Sequence, residues 1–238
     1  MAWSSGYRTE VQYTSGYFNE LNPLWLRLAL LFEGYKPPKI QDGCELGFGQ
    51  GISLNFHAAT SNINWYGTDF NPSQASNAGE LGSDLLKNLR VYDHDFASFS
   101  KIDSLPDFDF IGLHGIWSWI SNENRDTIVD FINRKLKVGG VVYISYNTFP
   151  GLGQILPLRD VLFQQFDKYS GSEEDVDLRI KKSLDYVSRL IELKAKFFEV
   201  NPDAKARFQS LEDKDYKYLA HEYFNQDWKP MSFEDVNG

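Results

Sequence analysis

Glu45-Leu46-Gly47-Phe48-Gly49-Gln50-Gly51 sets three alternate glycines behind an acidic residue at the mouth of an apolar strand. Such a strand-to-helix turn lets backbone approach a nucleotide closely, because no Cβ stands in the way. The spacing decides which nucleotide fits. A Gly-x-Gly-x-x-Gly dinucleotide fingerprint beginning at Gly47 needs its third glycine at position 52, where the sequence has Ile52. The loop therefore suits a cofactor approached by backbone without a pyrophosphate.

Working outward, strand and helix signals alternate, which predicts an α/β fold with a mostly parallel sheet and helices on both faces. The first strand runs to about Leu46, and a helix from about Ile52 to Ala59 follows the loop. Ile63 to Thr68 predicts a second strand ending at Asp69, and Asn71-Pro72-Ser73 opens a weakly amphipathic helix toward Asn88. Leu89 to Tyr92 predicts strand three, Phe108 to Leu113 strand four, and Val141 to Tyr146 strand five. Ser121 and Glu123 open the helix before that last strand, and Val138-Gly139-Gly140 reads as the turn into it. On the N-terminal side, Leu24 to Phe32 is apolar on nearly all sides and follows Asn22-Pro23, so a buried helix is predicted there.

Past residue 150 the strand signals stop. Pro157 to Tyr169 and Val176 to Phe198 read as helices, the second long and charged, and Ser232 to Asp235 carries a capping-box signature with Asp in place of Glu. Three regions result: an N-terminal lid segment over 1–38, a nucleotide-binding core over 39–150, and a helical insertion or appendage over 151–238. The capping signature lies three residues before Gly238, so these residues read as the front part of a longer protein.

Composition bounds the function. Of 238 residues, 42% are apolar, enough for a full core. The 33 acidic and 24 basic residues leave a net charge of −9, which argues against nucleic acid as a partner, since phosphate binding needs clustered Lys and Arg. The group Arg179, Lys181 and Lys182, beside Glu173, Glu174, Asp175 and Asp177, reads as a solvated helix face. One cysteine, Cys44, excludes a disulfide framework and a cysteine metal site, and the four histidines at 57, 94, 114 and 221 lack ligand spacing, so no metal is expected. With no secretory leader or apolar run of membrane-spanning length, the expected location is the cytoplasm and no membrane partner is expected. His221-Glu222-Tyr223 is half of a zinc-binding His-Glu-x-x-His helix, and Asn225 stands where the second histidine belongs.

In a sheet of this kind ligands bind beyond the carboxyl ends of the strands, where Gly47, Asp69, Asp95, His114 and Tyr146 would converge. Glycines 47, 49 and 51 fit backbone against the methionine end of S-adenosylmethionine. Asp69, ending strand two, can accept from two ribose hydroxyls or cap the Asn71-Pro72 turn. Asp95-Phe96 can meet the adenine amino group and cover the base; Asp93 competes for that place. His114-Gly115-Ile116-Trp117-Ser118-Trp119 puts a histidine at the sheet edge before two indoles, one of which is expected to pack. Tyr146-Asn147 can offer a hydroxyl and an amide oxygen to an amine, and Asn147-Thr148 also reads as a turn before Pro150-Gly151. Methyl transfer is an in-line displacement, so holding the nucleophile at near-attack distance matters more than elaborate acid–base chemistry.

Together these residues resemble the class I S-adenosylmethionine-dependent methyltransferases of the bacterial group that carries a methyltransferase regulatory domain. Tyr13 to Pro38 resembles the leader of that family, Glu45 to Gly51 its glycine loop, His114 to Trp119 its motif after strand four, and Tyr146 to Gly151 its motif after strand five. Arg159-Asp160 and Tyr218 to Tyr223 are similar to signatures in its helical part. The resemblance implies a Rossmann-like fold whose last strands lie beyond Gly238. It also implies S-adenosylmethionine as cofactor with S-adenosylhomocysteine as product. The implied cofactor residues are Tyr17, Glu45, Gly47, Gly49, Gly51, Asp69, Phe70, Asp95, Phe96 and His114, with Tyr146, Asn147 and His114 in catalysis. Some members are similar to protein-lysine methyltransferases, so the implied acceptor is an amine, plausibly on a protein; the sequence gives no oligomeric state. A small-molecule or glycan acceptor, a non-catalytic cofactor-binding module and a nicotinamide oxidoreductase remain open at this stage.

Overall fold

A computed structural model describes residues 16–82, 85–169 and 175–237. Tyr13 of the leader motif, Glu173 and Glu174 beside the basic helix, and Gly238 lie outside the described residues. The chain forms two compact units, one within Tyr13–Tyr146 and the other within Asn147–Gly238.

The first unit is built on five parallel strands, β1 (Asp42–Leu46), β2 (Asn64–Asp69), β3 (Leu89–Asp93), β4 (Phe108–Leu113) and β5 (Leu136–Ile144), in the order β3-β2-β1-β4-β5. They alternate with α2 (Ile52–Thr60), α3 (Pro72–Gly82), the short α4 (Phe96–Phe99) and α5 (Asn122–Lys135), after an N-terminal α1 (Pro23–Phe32). Cys44, Leu46, Ile111 and Leu113 are buried because helices cover both faces of a parallel sheet. Trp65 fills one side of that core with Leu54, Ala58, Ala78 and Phe110. α5 starts where Ser121 caps it, the side chain accepting from Asn124 N–H.

Two sequence expectations change. The apolar run Leu24–Phe32 does form a helix, with Asn22 as cap, but it is not buried among the described residues: Leu24, Trp25, Leu28, Leu31 and Phe32 are exposed, Phe32 to 82%. A helix apolar on every side can turn only one face to a sheet, and Leu26 is the residue that reaches the Trp65 cluster. The Val138-Gly139-Gly140 turn is absorbed into β5 as a bulge, Phe108 pairing with Leu136 and Phe110 with Val141. Lys137 pins the bulge, its ammonium lying 3.2 Å from Asp42 and 3.1 Å from Asp109. Burial alone would raise the Asp109 carboxyl, but N–H groups of Gln41 and Asp42 and the Lys137 ammonium outweigh it and hold the group below its ordinary value.

The second unit is helical: α6 (Leu156–Asp167), α7 (Val176–Glu192), α8 (Lys196–Val200), α9 (Pro202–Gln209), α10 (Tyr216–Glu222) and α11 (Phe233–Asn237). Ile180, Leu184 and Val187 recur on one face of α7 and bury against Leu158, Leu162 and Phe166 of α6 and Phe208, Leu219 and Phe224. Arg179 is no solvated charge; its guanidinium lies 3.8 Å above the Phe166 ring and donates to the Phe166 carbonyl, closing the end of α6. The Ser232–Asp235 capping box forms reciprocally, Asp235 N–H donating to Ser232 and Ser232 N–H to the Asp235 carboxylate.

The long helix expected over 176–198 breaks after Glu192. Lys194 adopts φ 54°, with its N–H bonded to the Ile191 carbonyl and that of Ala195 to Leu190, a Schellman ending whose left-handed position is normally glycine. Because a side chain there costs roughly 1–2 kcal/mol, Lys194→Gly is expected to raise the melting midpoint of the helical unit by about 2–4 °C. Thermal unfolding followed by circular dichroism checks this, and a lower midpoint would contradict it.

Candidate functional site

The sheet order reverses between β1 and β4, and in sheets of this kind ligands bind beyond the carboxyl ends of the strands at such a reversal. The glycine loop sits there. Gly47, Gly49 and Gly51 have φ of 71°, 58° and 71°, all left-handed. At Gly47 an added Cβ would lie 2.5 Å from Ile116 Cδ1, and at Gly51 2.4 Å from the Ala78 Cβ. Gly51 is thus the closest approach of the α2 start to α3, a role the dinucleotide fingerprint gives to its third glycine one position later.

Asp69 anchors this loop. One of its carboxylate oxygens accepts the Gly49 N–H at 2.9 Å and the other the Asn71 N–H at 3.0 Å; the Gln74 amide, nitrogen toward the carboxylate, donates to both at 3.1 and 3.3 Å. The turn-capping role expected of Asp69 is therefore present. The four acceptor positions of the carboxylate are thus filled by the chain itself. Burial pushes its pKa up to about 6 against those N–H bonds, with the charge of Asp93 adding to the rise. Glu45, two residues before Gly47, is 3% exposed, and its Oε2 has no hydrogen-bond partner among the described residues. Burial, then the neighbouring Asp69, pushes it up to about 8, so at neutral pH it is mostly a protonated acid.

The other expected residues divide. Asp95 caps α4, accepting from Ser98 N–H at 2.6 Å, and Asp93 stands opposite Asp69 in the sheet register. Phe96 is buried with its ring edge toward Gly47, and Phe70 is half-buried behind Asp69. Tyr17 lies on Phe56 and His57 of α2, at ring distances of 4.6 and 5.5 Å, and its hydroxyl accepts from the Asn22 amide. Its neighbour Phe18 is the residue stacked on His114, at 4.3 Å, with its N–H bonded to Ser53. His114 Nδ1 lies 3.0 Å from the Tyr143 hydroxyl, and burial holds the ring below its ordinary pKa against the opposing charge of Glu20, so it is neutral at pH 7. Ser145 accepts from Gly115 N–H. Trp117 packs, 5% exposed. Tyr146 and Asn147 fall on either side of the division between units; in the helical unit the Asn147 carbonyl accepts from Met231 N–H.

Phe18, Gln74 and Tyr143 escaped the sequence reading. Phe18 carried a signal, a second aromatic beside Tyr17 in a polar leader. Gln74 and Tyr143 had none beyond their places in the first turn of α3 and on β5.

Comparison with known proteins agrees with the fold. Residues 215–238 match a family described as a predicted methyltransferase regulatory domain. An uncharacterized protein of Synechocystis sp. is 42% identical over 99% of this chain and 47% of its own length. A tRNA (guanine-N(7)-)-methyltransferase of Shewanella amazonensis is 31% identical over 42% of this chain and 46% of its own. Among solved structures, PKMT2 from Rickettsia typhi in complex with AdoHcy superposes with a TM-score of 0.70 at 23% identity, over 94% of this chain and 43% of that one. The chain has the Rossmann-like class I methyltransferase fold and spans about half the length of the curated relatives it matches. No helix among the described residues is long and apolar enough to cross a membrane.

The glycine loop yields a graded prediction. Gly115 shares the left-handed conformation of Gly51, φ 67°, yet an added Cβ there meets nothing within 4 Å. Gly51→Ala is therefore expected to cost about 1–3 kcal/mol more than Gly115→Ala, the difference being the clash with Ala78. Urea unfolding of both variants measures this; equal losses would remove the packing role.

Proposed function

We propose that this chain carries the cofactor-binding core of an S-adenosylmethionine-dependent methyltransferase whose acceptor is an amine, a protein lysine side chain in particular. The observation that carries the reading is Glu45: a buried carboxyl with one oxygen unpartnered among the described residues, beside three left-handed glycines. An isolated buried carboxyl is costly unless something pairs with it. The ammonium of a methionine moiety is a partner of the right charge, and ribose hydroxyls meeting Asp69 would replace the Gln74 amide there. Support for the cofactor comes from the AdoHcy bound to the Rickettsia enzyme of the same fold. Support for the acceptor comes from the name of that enzyme and the resemblance of this sequence to protein-lysine methyltransferases.

When bound, S-adenosylmethionine supplies an electrophilic sulfonium methyl. What the chain contributes is positioning. Neutral His114 at the end of β4 can accept from an amine without favouring ammonium, as a carboxylate would. Tyr146 and Asn147, next after β5, are the residues proposed to orient the lone pair, and Phe18 and Phe96 exclude water beside His114 and Gly47.

The Glu45 charge gives a specific test. Its folded pKa is about 8 and that of Asp69 about 6, both raised. Raised acids bind protons more tightly in the folded state, so their contribution to stability is present below the unfolded values near pH 4 and is lost as pH rises through 6 and then 8. An ammonium placed beside Glu45 lowers its pKa and expels the proton. Calorimetry at pH 7 with S-adenosylmethionine and S-adenosylhomocysteine is expected to show saturable binding with release of up to about one proton, read from the dependence of the heat on buffer ionisation. Glu45→Gln abolishes that dependence. Absence of saturable binding to folded protein would sink the cofactor; heat independent of buffer would sink only the Glu45 contact.

The acceptor half is tested separately. Asn147→Ala is expected to lower turnover on a lysine-containing acceptor protein by about tenfold or more while cofactor affinity stays within twofold. An unchanged rate would remove Asn147 from the mechanism.

A further inference from the structure

The helical unit contains a cavity of its own, about 130 Å³, lined by Asn147, Arg159, Arg207, Glu222, Tyr223 and Trp228 among others. Two sequence segments singled out earlier and unused by the proposed methyl transfer, Arg159-Asp160 and Tyr218–Tyr223, meet at its wall. Several waters would fill that space, a water occupying about 30 Å³ in the liquid. So would a small polar group.

Arg159 is the unusual residue. It is 8% exposed, yet the carboxylate nearest it is that of Asp160, 3.9 Å away and itself largely in solvent. One of its terminal nitrogens donates to the Asn225 carbonyl, and its plane is flanked by the rings of Phe163 and Trp228, at 4.8 and 5.2 Å. Its Nε finds no acceptor among the described residues. Neither does the indole N–H of Trp228, 7% exposed. Burying a charge without close neutralisation is expensive, and two buried donors lack partners in the residues that line one cavity.

Arg207, on another wall, is differently placed. It donates to the Tyr223 hydroxyl at 2.6 Å and feels the charge of Glu222, which also lies 3.2 Å from His221 Nδ1. Arg159, by contrast, has only the Asn225 carbonyl and the more distant Asp160. The lining sums to two cations and one anion, or +1. A monoanion neutralises it, whereas a dianion such as phosphate overshoots and meets Glu222.

We propose that this cavity is a binding site for a single carboxylate group, received by the Arg159 guanidinium with Arg207 and the Trp228 indole as further donors. Planar carboxylates match the guanidinium fork, which is why Arg pairs with them so often. The carboxylate can belong to an acidic side chain of a polypeptide or to a free small acid, and the two sources are separable by experiment.

The intact protein is titrated at constant ionic strength with sodium acetate, with glutamate capped as its acetyl amide, and with inorganic phosphate. Two signals are followed: the melting midpoint and the ¹⁵N–¹H indole resonance of Trp228, assigned by its loss in Trp228→Phe. Both carboxylates are expected to raise the midpoint and shift that resonance saturably. Capped glutamate binding more tightly than acetate identifies a polypeptide side chain, and the reverse order a free small acid; either supports the site. Because Arg159 variants can fail to fold, the more exposed Arg207 serves as the probe: Arg207→Gln is expected to weaken carboxylate binding by about tenfold. Lack of a saturable response to either carboxylate, tighter binding of phosphate, or unchanged affinity in Arg207→Gln would each overturn the proposal.

Discussion

The bond from Gly49 N–H to the Asp69 carboxylate is the contact on which the first unit depends. It joins the loop after β1 to the end of β2, across the strands next to the place where the sheet order reverses. Without it, a left-handed loop with three glycines would lose much of its reason to hold one shape, since glycine gives up more conformational freedom on folding than any other residue. Asp69 is held in turn by Asn71 and Gln74, so the start of α3 sets the position of the glycine loop. Ala78 in the same helix sets the floor at Gly51. A cradle of this kind is made of backbone, and side chains serve mainly to fix that backbone in place.

Much of this was legible in the sequence. Strand four was readable to the residue, and the parallel α/β pattern followed from the alternation of apolar runs with turn signals. Glycines 47, 49 and 51 could be assigned to the loop because their spacing has a steric meaning. What escaped was tertiary. The β5 bulge depends on Lys137 reaching Asp42 and Asp109 from another strand, which no local pattern encodes. The break after Glu192 hides behind Lys194, a residue whose own preference is helical and whose left-handed φ goes with the two bonds of the Schellman ending. Phe18 stacks on His114 through a contact spanning the unit, so the more conspicuous Tyr17 drew the reading instead.

The charge pattern also resists prediction from sequence. Glu45 and Asp69 are ordinary acids on paper, and burial, with the charge of Asp69 acting on Glu45 and that of Asp93 on Asp69, makes them proton reservoirs near neutral pH. His57, stacked on Trp65 at 5.2 Å with neither ring nitrogen partnered, is driven the other way, down to about 4 by burial. Its contribution is intact above pH 6.5 and is lost as pH falls toward 4, opposite in sign to that of the two acids. These opposed terms keep the unit from having a single stability optimum set by any one group.

Besides the neutral His57 ring, each unit thus buries one ionisable side chain that the described residues leave unsatisfied at an atom, a carboxyl in the sheet-bearing unit and a guanidinium in the helical one. Stability alone would not select either, because an apolar side chain of similar volume at a buried, unpaired position is commonly as good or better. Glu45 could be Gln or Leu in a purely structural strand, and Arg159 could be Met against Phe163 and Trp228. Their neighbours make the same point by contrast. Asp109, Arg179 and Arg125 also sit in the interior or at its edge, and each is matched by donors or acceptors of the surrounding backbone. Where other buried charges are met by the backbone in this way, Glu45 and Arg159 are the two side chains whose proposed partners come from outside the chain.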